Sequence, residues 1–179
     1  MKRFLVLVSL MSLSLFGAVS LHVAVKAQEN APMTEAHIER IRSSCVDAQS
    51  SLSQLHASDA LLRVNRGQLY ESISTKLMAP FNSRVALNRL DSAGLPAVAS
   101  QYDKQLAAFR LSYQQYEEAM TKTLRINCAL QPVAFYDSVN DTREKRKITH
   151  DSTIELHKTI QGYKAEFEAF AKEFQEEKK

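Results

Sequence analysis

Asp59 and Arg66 stand where the surrounding residues repeat apolar side chains at 3-4 spacing, and Arg63 lies one helical turn after Asp59. Opposite charges four apart on a helix can pair, so these three residues predict a buried polar layer within an otherwise apolar seam. His150 and His157 recur seven apart with Asp151 and Glu155 nearby. A zinc-binding helix needs histidines four apart, and the cysteines are not in ligand spacing, so neither metal nor cofactor is expected. Cys45 and Cys128 are the only cysteines. One of them with a distant histidine could act as nucleophile and base, but a disulfide is the better reading of such a pair in an exported chain. No nucleophile elbow, no glycine-rich phosphate loop and no paired carboxylates in an evident cleft point to catalysis. The chain therefore reads as a protein that is not an enzyme.

The exported setting is inferred from the N-terminus. Lys2 and Arg3 precede an uncharged apolar run from Phe4 to Val25, closed by Val25-Lys26-Ala27. This is the order of a signal peptide cut after Ala27. The same run is long enough to remain as an N-terminal membrane anchor with its positive end inside. In both readings residues from about 28 onward lie outside the cytoplasmic membrane, in a periplasm-like space, at the surface or secreted, and the membrane is met only through residues 1-27.

The formal net charge of +3 comes wholly from Lys2, Arg3 and Lys26; the remainder carries 20 basic and 20 acidic residues. A neutral domain lacks the footprint needed for phosphate backbones, so no nucleic acid is expected. The basic run Arg143-Glu-Lys-Arg-Lys147 reads as a solvated helix face. Asn140-Asp-Thr142 matches a glycosylation acceptor, which matters only in a eukaryotic host.

Residues 28-179 are long enough for one domain with its own core, and good helix formers dominate them. The fold class is all-α. Pro80, Pro96 and Pro132 divide the chain, because proline is tolerated in a helix's first turn but not in its interior. Helix A is predicted over about 34-79, with Thr34 as N-cap and a seam of Ile38, Ile41, Cys45, Ala48, Leu52, Leu55, Leu62, Leu69 and Ile73. Helix B covers about 96-130, with Ala99, Tyr102, Leu106, Phe109, Tyr113, Tyr116 and Met120 on one face. Helix C covers about 133-177. Its second half carries Leu156, Ile160, Tyr163, Phe167, Phe170 and Phe174, while Thr142, Arg146, Thr149 and Thr153 hold the seam positions of the first half. That polar half is expected to pack loosely or leave a groove. Sustained 3-4 spacing is the mark of long helices packed side by side.

The cysteines constrain how these helices lie. If A and B are antiparallel and A ends at Met78, the span from Cys45 to the top matches that from Pro96 to Cys128 within one residue. Continuing A to Gly94 would separate the cysteines by roughly 25 Å at ~1.5 Å per residue, too far for a disulfide. The expected architecture is an elongated, coiled-coil-like antiparallel three-helix bundle, stapled by Cys45 and Cys128, with residues 80-95 as a short lateral helical connector. Indexed this way, Asp59 falls near His150 and Arg66 near His157, so the predicted buried polar layer comprises Asp59, Arg63, Arg66, His150 and His157.

Three stretches, Cys45-Val-Asp-Ala-Gln-Ser-Ser-Leu-Ser-Gln-Leu-His56, Arg63-Val-Asn-Arg-Gly67-Gln-Leu-Tyr70, and Asn127-Cys128 followed by Pro132-Val-Ala-Phe-Tyr136, resemble a group of uncharacterised exported helical proteins of ultra-small epibiotic bacteria. The resemblance implies a bacterial surface or periplasm-like setting, and it transfers no functional residue. A signal peptide before long amphipathic hairpins also resembles small periplasmic helical chaperones, although those tend to be basic and cysteine-free. The expected role is contact with a protein partner in envelope structure or surface attachment. The alternative is a holdase chaperone for unfolded clients, with an enzyme of unknown class as a minor alternative. Exposed seams on long helices also point toward a homodimer.

Overall fold

Thr34 caps the first helix through its side chain, which accepts from the His37 N–H at 3.4 Å. The computed structural model describes residues 33–92 and 94–176, so the signal peptide or anchor expected over 1-27 lies outside the described residues. Met33–Lys179 form one compact unit. Its elements are α1 (Glu35–Ser43), α2 (Cys45–Ser72), a π-helical turn (Ile73–Met78), α3 (Ala79–Leu87), α4 (Gly94–Arg125) and α5 (Pro132–Glu176). Among the described residues there is no strand. None of these helices is long and apolar enough to cross a membrane.

Helix A does not stop near residue 79, and residues 80-95 do not form a separate connector. The backbone stays right-handed helical through Ile73, Met78 and Ala79 into α3. The reason lies just ahead of Pro80: the Ala79 N–H bonds the Ser74 carbonyl, five residues back. A π turn widens the helix there and relieves the clash a proline ring makes with the carbonyl below it. The chain turns only after Leu87. The Leu90 N–H bonds the Val85 carbonyl and the Arg89 N–H bonds that of Ala86, a Schellman cap with Arg89 left-handed at φ 56°. Gly94, expected in a turn, is the first residue of α4.

Cys45 and Cys128 are bonded, with Cα atoms 5.6 Å apart, and both are buried. The longer helix A does not prevent this, because it ends at Leu87 rather than Gly94 and Cys128 sits in the loop after α4. Partners of α2, the π turn and α3 run in reverse order along the following segment: Gln49 with Ile126, His56 with Glu117, Ser74 with Asp103, Asn82 with Leu95. Partners of α4 on α5 do likewise, from Gln105 with Thr159 to Thr123 with Thr142.

Among the described residues, helix α4 supplies half of the buried apolar side chains. Its Tyr102, Leu106, Phe109, Tyr113, Tyr116 and Met120 are all buried, as their spacing predicts. Tyr102, Leu106 and Phe109 meet Tyr70, Met78, Leu156 and Tyr163 near the α3-α4 turn, Tyr113, Tyr116 and Met120 pack with Leu52, Leu55 and Leu124, and the Cys45, Cys128 and Phe135 cluster lies at the far end. Phe81 of α3 packs edge-on against Phe167 and Phe170 of α5, at 5.1 and 5.8 Å.

Two parts of the predicted seams differ. Leu62 and Leu69 are exposed, and Tyr70 is buried in their place. A straight helix drifts ~20° per heptad from a strict 3.5-residue repeat, so over three heptads from Cys45 the inward position moves on by most of a residue. Thr142, expected to pack loosely, is fully buried. Its hydroxyl donates to the Ser138 carbonyl and pairs with Thr123 at 2.8 Å.

Candidate functional site

A groove of about 180 Å³ opens between α2 and α5, floored by α4. On α2, Asp59, Arg63 and Arg66 line it. Leu62, Phe109, Tyr113, Tyr116, Arg146, Thr149, His150 and Thr153 complete the lining.

Asp59 is its anchor. Its side chain is 12% exposed. The Tyr116 hydroxyl donates to Oδ2 at 2.7 Å, Arg146 Nε donates to the same oxygen at 2.6 Å, and Arg146 Nη2 donates to Oδ1 at 3.0 Å. Burial alone would raise the Asp59 carboxyl, but these hydrogen bonds, with the charges of Arg146 and His56, hold it below the usual carboxylate value. The same hydrogen bond holds the Arg146 guanidinium more firmly protonated. Burial, then the hydrogen bond to Asp59, pushes the Tyr116 hydroxyl up. Tyr113 is raised by burial and by its hydrogen bond to Glu117. Glu117 also meets His56 Nε2 at 2.7 Å.

Four of the five residues predicted as a polar layer converge here: Asp59, Arg63, Arg66 and His150. His157 stands apart, with Nε2 3.0 Å from the Tyr70 hydroxyl. The layer is not buried, since Arg63, Arg66, His150 and His157 are all exposed. Nor does Asp59 pair with Arg63. The Arg146 fork satisfies both carboxylate oxygens, while the Arg63 guanidinium lies over the Tyr113 ring at 4.9 Å, a favourable cation-π position. Asp59 thus meets α5 one turn before His150. Arg146 was visible in sequence only as a polar residue at a seam position of helix C. Its pairing, and that of His56 with Glu117, needed the register between helices.

Among the described residues no three His, Cys, Asp or Glu side chains converge as a metal-binding set. Every buried side-chain nitrogen and oxygen there has a hydrogen-bond partner. No family model matches the chain, and no curated protein or solved structure does either.

Proposed function

We propose that this protein is an exported, non-enzymatic, elongated antiparallel three-helix bundle acting through protein-protein contacts in envelope structure or surface attachment. The observation that carries this reading is the surface of α2 and its continuation. Leu61, Val64, Leu69, Leu77 and Leu87 are about half to four-fifths exposed along one helical run, a series of large apolar side chains that a partner's contact would cover. The groove's chemistry also favours binding over catalysis. Asp59 is held ionised by Arg146 and Tyr116, whereas a general base works best with a pKa near the operating pH.

Crosslinking in intact cells, followed by partner identification, tests the proposal. One specific partner, retained with the envelope, is the expected result. Recovery of many unrelated proteins would instead favour the holdase reading, which the same exposed leucines support. That reading requires suppression of client aggregation at near-stoichiometric ratio, and failure of such suppression removes it.

A further inference from the structure

We infer that the groove receives a carboxylate side chain from an acidic segment of the protein partner, with Arg63 and Arg66 binding the carboxylate and the Phe109 and Tyr113 rings covering its stem. This rests on the protein-contact reading and names the partner's chemistry. Charge carries it. The lining holds three arginines and His150 against one carboxylate, Asp59, which is already committed to Arg146 and Tyr116. Among the described residues Arg63 and Arg66 have no carboxylate partner; Arg63 lies on the Tyr113 ring and Arg66 bonds the Tyr70 hydroxyl, both neutral groups that leave the guanidinium charge uncompensated. Yet they sit one turn apart on the same wall. Guanidinium groups bind carboxylates bidentately and are favoured where that geometry is recognised.

Size narrows the occupant. About 180 Å³ is below the ~300–1,000 Å³ of pockets that enclose a cofactor or drug-sized ligand, but it suits one side chain whose backbone stays outside. The floor is aromatic, so a methylene stem ending in a carboxylate matches both parts of the lining.

The test uses the full chain and a fluorescein-labelled peptide, Gly-Leu-Glu-Phe-Glu-Gly, read by anisotropy at low salt. Its Gln-for-Glu counterpart should bind at least tenfold more weakly. Joint Arg63→Gln and Arg66→Gln substitution should weaken the Glu peptide roughly tenfold or more, as expected for charge-assisted bonds. Arg110→Gln, which removes a partner of Glu71 outside the groove, should not. Because Arg63 also packs on Tyr113, Arg66→Glu alone, checked by circular dichroism, provides the second variant and should abolish binding. Equal binding of the two peptides, or binding unaffected by these variants, overturns the assignment. So does groove-dependent binding of vesicles with 20% phosphatidylserine in place of the peptide. Failure of the peptide with an intact specific crosslink in cells removes only the groove chemistry, whereas loss of the crosslink removes the protein-contact reading itself.

Discussion

Replacing Asp59 by alanine removes the acceptor shared by two partners, Tyr116 and Arg146, whose bonds are of very different worth. Tyr116 is 1% exposed, and its hydroxyl bonds a carboxylate at 2.7 Å. A hydrogen bond to a charged group contributes about 1.5–3 kcal/mol, and a buried hydroxyl left unpaired costs a similar amount. Arg146 is 49% exposed, so water replaces its lost partner and that pair contributes under ~1 kcal/mol. Asp59→Ala should therefore destabilise by roughly 2–3 kcal/mol. At ~2–4 °C per kcal/mol for a domain of this size, the melting midpoint falls by about 5–10 °C. Asp59→Asn keeps an acceptor for Tyr116 and should cost about 1 kcal/mol, as for a neutral hydrogen bond. Urea melts followed at 222 nm measure both, and a double-mutant cycle with Tyr116→Phe isolates the coupling. The pH dependence follows in sign. The folded carboxyl lies below its unfolded value of ~3.9, so its contribution is present above about pH 4 and fades as pH falls through the folded pKa. Asp59→Asn should flatten that acid limb. An alanine variant within ~0.5 kcal/mol of the parent, or no coupling to Tyr116, would refute the reasoning.

Joint replacement of Cys45 and Cys128 by serine should lower stability by up to about 4.5 kcal/mol on the chain-entropy model, given the 83-residue separation. Comparing urea midpoints with and without reductant checks it. Gly67→Ala should stabilise by about 0.8–1 kcal/mol, because an added Cβ meets nothing within 4 Å; thermal melts would show a gain of a few degrees. Arg89→Gly should gain about 0.5–1 kcal/mol by relieving a left-handed residue at φ 56°, measurable by the same melts. Burial first of all raises the hydroxyls of Tyr70, Tyr102, Tyr113, Tyr116 and Tyr163 above their unfolded value. Their contribution is complete below about pH 10 and is lost as pH rises through the folded values. Chemical melts from pH 9 to 11.5 should show falling stability alongside tyrosinate absorbance at 295 nm.

Local sequence determined much of this protein. Thr34 capping α1, Pro132 opening α5 and the aromatic spacing of α4 act within a turn or two, where backbone hydrogen bonding and side-chain periodicity leave few choices. The Cys45-Cys128 pair was legible for a simpler reason, since in a chain with two cysteines each has only one possible intramolecular partner. The proline at position 80 misled, because its cost in a helix depends on the turn beneath it. The π turn from Ile73 to Met78 removes that cost, and nothing in the local residue types announces it. Tertiary structure decided the site. Asp59 and Arg66 stood out as ionisable residues on a seam, with Arg63 one turn after Asp59, but which of them met Arg146, and which was left facing a groove, depended on the angular drift of α2 relative to its neighbours. That angle builds up over several heptads and has no signature in any one of them.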